Sequence, residues 1–148
     1  LIRGDKQTIR ILFAGQVGVR KGVATLLHAF KSVTGPVELQ LVGPIEPAFA
    51  DILATLPLER VIIEGPVERD SIPRLLRRAD IFCLPSFEEG FGMVAAEAMA
   101  SGLPVILSDQ VGACDIVTHG QNGWIVPVND PRALADAITR FIEDKDER

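Results

Sequence analysis

Short apolar runs alternate with helical periods along almost the whole chain, and this alternation limits the fold more than any other feature. Ile9, Ile11, Leu12, Phe13 and Ala14 read as a buried strand ended by Gly15. Val23, Leu26, Leu27, Phe30 and Val33 follow at the spacing of one helix face. Residues 37–42 alternate like a strand and stop at Gly43 and Pro44. Phe49, Ile52, Leu53 and Leu56 mark a second helix, and residues 61–63 a short strand before Gly65 and Pro66. The third helix carries Ile72, Leu75, Leu76 and Ala79 inside, with Asp70 or Ser71 as its N-cap. Residues 81–84 are the next strand, ended by Pro85. An Ala-rich helix over residues 93–100 stops at Gly102, ahead of Pro104. Residues 105–107 and 124–126 are two more strands, with a helical turn at 115–118 between them. Asp130-Pro131 opens a last helix with Leu134, Ile138 and Phe141 inside. The charged residues 143–148 read as its fraying, solvated end.

Six strands alternating with helices predict an α/β domain: a Rossmann-like, doubly wound parallel sheet with helices on both faces. The apolar runs are continuous, as in strands covered on both sides. There is no repeat, low-complexity stretch or linker, so residues 1–148 are expected to form a single domain, long enough to bury a core. Fifteen Lys and Arg against 20 Asp and Glu give a net charge of −5, which argues against a nucleic-acid module with its basic face. No apolar run approaches the ~20 residues of a membrane span, and no signal-peptide pattern is visible. The chain begins at Leu1 rather than Met, which is the expectation for a piece of a longer polypeptide. Cys83 and Cys114 sit in apolar contexts and read as reduced thiols. His28 and His119 have no ligand-spaced neighbours, so no metal site is expected.

In such a sheet, ligands bind outside the carboxyl ends of the strands, where the strand order switches. Two loops there carry chemistry. Residues 15–22 lie between a strand and a helix, the setting of phosphate-binding loops, although the spacing matches neither GxGxxG nor the Walker A pattern. Gly15 and Gln16 open this loop, and Arg20 and Lys21 bring charge to the helix start; the same residues also fit an ordinary turn with two solvated cations. In the second loop, Gly90 and Gly92 free the backbone to present N–H groups beside the start of a helix, where the dipole favours an anion. Glu89 sits at its edge. Glu97 is the charged residue among the small, apolar Ala95, Ala96, Ala98, Met99 and Ala100, facing either solvent or a polar ligand.

Together these residues resemble a known signature. Pro85-Ser86-x-x-Glu89-Gly90-Phe91-Gly92-x-x-x-x-Glu97-Ala98-Met99-Ala100-x-Gly102-x-Pro104-Val105-Ile106 is similar to the glutamate-x7-glutamate element of the group 1 (family 4) glycosyltransferases. These are retaining, nucleotide-sugar-dependent enzymes of the two-lobed GT-B fold. Phe13-Ala14-Gly15 through Lys21-Gly22 resembles the family's first strand and phosphate loop, Gly65-Pro66-Val67 its base-binding loop, and Asn122 to Pro127 its late strand. The resemblance spans roughly residues 8–142 and points to the C-terminal, donor-binding lobe.

The resemblance implies a role for each matching residue. Lys21 would contact the donor diphosphate and Glu89 would lie beside the donor sugar, the two being the catalytic residues it implies. Glu97 would accept from the ribose hydroxyls. Backbone N–H groups of Gly90, Phe91, Gly92 and Met93 would hold sugar hydroxyls and phosphate, and Gly65 and Val67 would flank the base. The family usually places Arg after the first-loop glycine; here Gln16 stands there, and Arg20 is the expected substitute. The implied ligand is a UDP-, GDP- or ADP-linked sugar, with no cofactor and no metal. The acceptor, a saccharide or lipid-linked saccharide, and any contact with the inner face of a membrane would belong to an N-terminal lobe that this chain does not match, in a cytoplasmic protein. The chain alone would then bind nucleotide without transferring sugar. Two other readings remain: a domain of an epimerase-like GT-B enzyme, against which the glutamate pair speaks, and a flavodoxin-like interaction module, which calls for an acidic pocket where Gly15-Gln16 stands.

Overall fold

The computed structural model describes residues 8–146, and in it every apolar run becomes a strand of one sheet. The strands are β1 (Ile9–Ala14), β2 (Val37–Val42), β3 (Val61–Gly65), β4 (Ile81–Leu84), β5 (Val105–Ser108) and β6 (Gly123–Val126). Their order is β3-β2-β1-β4-β5-β6 and each pairing is parallel. The Rossmann-like α/β expectation is met. The chain winds outward from β1 to β3, then crosses back to β4 beside β1, so the order switches between β1 and β4.

The helices are α1 (Val23–Lys31), α2 (Ala50–Leu53), α3 (Ile72–Arg78), α4 (Met93–Ala100) and α5 (Pro131–Asp146). Contact between α1 and α5 puts them on one face, and right-handed crossovers carry α3 and α4 to the other. Ile11, Leu12 and Phe13 of β1, all of β4, and Val105, Ile106 and Leu107 of β5 are buried between these layers. Asp130 caps α5 by accepting the Ala133 N–H at 2.9 Å. Trp124 of β6 meets Phe141 of α5 edge to face, with ring centroids 5.9 Å apart. Residues 147 and 148 of the charged end lie outside the described residues, and the part before them continues α5.

Four local expectations are corrected. The third strand is not covered on both sides: Ile62 and Ile63 are 37% and 38% exposed. It lies at the sheet edge, and α2 and α3, of four and seven residues, are too short to cover it. The second helix is broken into a 3-10 turn, Pro47–Phe49, followed by α2, so Phe49 and Leu53 go inside while Ile52 is 44% exposed. Neither Asp70 nor Ser71 caps α3 with its side chain; a 3-10 turn, Arg69–Ser71, runs directly into the helix, and Ser71 is helical itself, without the extended backbone that a capping hydroxyl needs. The turn after β5 spans Gly112–Ile116 rather than 115–118.

Candidate functional site

The loops after β1 and β4 flank the switch point, and they are in direct contact. The backbone N–H of Phe87 donates to the Arg20 carbonyl at 2.8 Å. Gly22 makes the approach possible. It sits in the left-handed region (φ 74°) as the N-cap of α1, and a Cβ there would stand 2.1 Å from the Pro85 carbonyl oxygen. The Lys21 stem folds over Gly15, and its ammonium forms an ion pair with the Glu89 carboxylate, which also accepts from the Ser86 hydroxyl at 3.4 Å. Both side chains are largely screened from water, at 14% and 16% exposure. The structure thus brings together the two residues that the resemblance makes catalytic.

Beyond Glu89, the second loop is held by the segment after β5. The Glu89 N–H donates to Gln110, and the N–H groups of Gly112 and Ala113 donate to the Glu89 and Phe91 carbonyls. Gly112 is required by closeness: a Cβ there would lie 1.9 Å from the Gly90 carbonyl oxygen. The loop's carbonyls are therefore turned toward β5. Among the described residues, the N–H groups of Gly90, Phe91, Gly92 and Met93 donate to no protein acceptor. Gly92 is the left-handed N-cap of α4, so unpaired donors and the positive end of the helix dipole coincide. This is an anion-binding geometry next to a screened lysine.

Glu97, in the first turns of α4, is partly exposed, and its carboxylate accepts from the Arg69 guanidinium at 2.8 Å. Gly65 ends β3 in the left-handed region with open space around it, and Val67 is exposed on the loop beyond. The loops after β1, β3 and β4 and the start of α4 therefore line one end of the sheet. Gln16 and Arg20 lie on the first loop, both exposed, and no ion pair among the described residues uses Arg20.

Sequence reasoning missed Arg69, Gly112 and Ser108, and gave Ser86 no role beyond its place in the signature. Ser86 and Ser108 are fully buried and joined by a hydrogen bond from the Ser108 hydroxyl to the Ser86 carbonyl, which ties the second loop to β5. Only its position just past an apolar run could have flagged Ser108. No group of three His, Cys, Asp or Glu among the described residues could hold a metal ion. Cys83 and Cys114 are free thiols; burial pushes the pKa of both upward, Cys83 most of all. Among the described residues, no helix is long and apolar enough to cross a membrane.

Comparisons with known proteins bear on the family and the fold. The family model described as glycosyl transferases group 1 matches residues 8–144. A D-inositol 3-phosphate glycosyltransferase of Xylanimonas cellulosilytica is 35% identical over 145 residues, covering 93% of this chain and 35% of the relative. An uncharacterised glycosyltransferase of Methanocaldococcus jannaschii, MJ1607, is 34% identical over 140 residues, 90% of this chain and 36% of its own length. Among solved structures, Anabaena Alr3699/HepE in complex with UDP-glucose superposes with a TM-score of 0.85 at 28% identity, over 95% of this chain and 40% of that one. The C-terminal domain of a group 1 glycosyltransferase, LpcC of Francisella tularensis, gives 0.83 at 25% identity and covers 93% of this chain and 77% of that one. The chain thus spans little more than a third of the length of these curated relatives. Sheet order, contacting loops and family match converge on one assignment: the chain belongs to the group 1 glycosyltransferases.

Proposed function

We propose that this chain is the donor-binding lobe of a retaining glycosyltransferase that moves a hexose from a nucleotide-diphospho-sugar to a saccharide or lipid-linked saccharide. One observation carries the reading. Lys21, held by Glu89, lies beside the unpaired N–H groups that start α4, at the switch point of the sheet. A cation and a helix N-terminus together suit a diphosphate, and they can stabilise a departing diphosphate without a metal. Glu97 sits one helical turn further on, where ribose hydroxyls attached to that diphosphate would reach a carboxylate. The likeness to a protein crystallised with UDP and UDP-glucose supports the same reading.

In this reading Glu89 faces the sugar, Gly65 and Val67 flank the base, and Arg20 supplies the second cation that Gln16 does not. The acceptor site, and any membrane contact of this cytoplasmic protein, belong to a second lobe. Calorimetric titration of the chain with UDP, GDP and ADP tests the proposal. At least one should bind, and Glu97→Ala should weaken it at least about tenfold, the size expected for losing charge-assisted hydrogen bonds of ~1.5–3 kcal/mol. A chain that binds none of the three is instead an interaction module.

A further inference from the structure

Each signature carboxylate is engaged by a cation from a different loop, and the two pairs differ in burial. Lys21 and Glu89 are both screened from water. The Arg69–Glu97 pair is lopsided: Arg69 is 76% exposed, while Glu97 is 32% exposed. A pair so open to solvent contributes little to folding, so its consequence lies in what it does to Glu97.

On its own helix Glu97 has Met93 and Val94 one turn back, which offer its carboxylate apolar contact and no hydrogen-bond donor. Among the described residues, the hydrogen bond from Arg69 at 2.8 Å is the contact that fixes its carboxylate. Arg69 lies in the 3-10 turn that follows the Gly65–Val67 loop, so the contact also bridges the two segments assigned to base and ribose. The guanidinium takes Oε1 alone. A carboxylate accepts about four hydrogen bonds, so Oε2 and the remaining lone pair of Oε1 stay open to a diol.

We infer that Arg69 is a positioning residue for the donor nucleoside: it holds the Glu97 carboxylate in the orientation that receives the ribose hydroxyls, and so sets how well this chain distinguishes ribose from deoxyribose. The inference rests on the donor-binding reading above. It assigns Arg69 a role through Glu97 rather than through the phosphates, although Arg69 is a cation near an anion site.

The test is a titration series on the folded chain with UDP, GDP, ADP and their 2′-deoxy counterparts, using wild type, R69Q, E97Q and the double variant. Because Arg69 is exposed, R69Q should keep the wild-type denaturation midpoint. R69Q should weaken the ribonucleotide three- to tenfold and the deoxy form less than twofold, narrowing the preference for ribose. In the E97Q background, R69Q should add less than a twofold loss. Equal binding by R69Q and wild type overturns the inference, as does an equal loss for ribo and deoxy forms. A full further loss in the E97Q background also overturns it, since Arg69 would then touch the nucleotide independently. A wild-type chain that binds no nucleotide overturns the donor-binding reading itself and this inference with it, an outcome distinct from the others.

Discussion

Lys21 and Glu89 show how a site can constrain its own scaffold. Their side chains are 14% and 16% exposed, so each charge is partly desolvated and depends on the other. Removing one partner from such a pair costs more than the pair contributes, because the remaining charge is left unmatched. We expect Lys21→Met to destabilise the chain by about 1–3 kcal/mol in urea denaturation, and the Lys21→Met/Glu89→Gln double variant to recover more than half of that. A neutral single variant would show that water already solvates both groups. Cys83 offers a second measurement. Burial raises its thiol pKa far above the ordinary value of 9.0. The folded chain therefore holds a proton that the unfolded chain releases above about pH 9. Stability should be unaffected by this group below that pH and should fall above it, by up to about 1.4 kcal/mol per pH unit. Cys83→Val should flatten that alkaline decline in pH-dependent unfolding; an unchanged slope would place its cause elsewhere. Glu89 and Glu97 could be picked out in the sequence because their spacing is local. Arg69 could not: it meets Glu97 across 28 positions, and an exposed arginine in a turn looks like any solvated cation until the sheet is assembled.

Elements were legible to the extent that one face of each is buried. The strands and α1, α4 and α5 follow their apolar patterns, and Asp130 caps α5 as its position suggests. The reading failed where burial is partial. An isoleucine in β3 looks the same as one in β1, yet β3 has only β2 beside it. The stretch Phe49 to Leu56 has helical spacing but too little length to hold a helix against the Pro47 turn. Gly112 was passed over because the atom it makes room for, the Gly90 carbonyl oxygen, lies 22 positions earlier in the chain. The glycines also provide a test at this scale. Gly22 and Gly102 both have φ in the left-handed region, at 74° and 78°, but only Gly22 faces an obstacle. Gly102→Ala should cost about 1 kcal/mol, the strain of a left-handed alanine. Gly22→Ala must in addition push the Pro85 carbonyl aside, which would part the two contacting loops, and should cost at least about 3 kcal/mol while weakening nucleotide binding. Equal costs in thermal or urea unfolding would mean that the loops separate freely.

At the scale of the molecule, the candidate site is a shelf at one end of a sheet. Val19, Val67, Phe91 and Ile116, on the loops and turns after β1, β3, β4 and β5, and Met93 at the start of α4 leave apolar surface exposed around it. Binding and transfer make different demands on such a shelf. Anion binding needs the helix start, the lysine and the unpaired N–H groups, and the chain supplies all three. Transfer also needs an acceptor hydroxyl held within about 3–3.5 Å of the anomeric carbon, and it needs water kept away. Orientation of two reactants accounts for about 7–11 kcal/mol of a barrier, and the described residues offer one wall toward that end. Under the proposed function, the chain of 148 residues should therefore bind nucleotide while turnover of nucleotide-sugar stays at the level of the buffer alone. Release of free nucleotide diphosphate, followed with and without saccharide acceptors, separates the outcomes. Acceptor-dependent release would place a complete active site on this lobe and overturn the division of labour proposed here. Acceptor-independent release that disappears in Lys21→Met would mean that the shelf already activates the donor toward water, leaving the second lobe only acceptor choice. No release above buffer, together with calorimetric binding, is the expected result, because under the proposed function the described residues supply charge for the diphosphate but only one wall for orienting an acceptor.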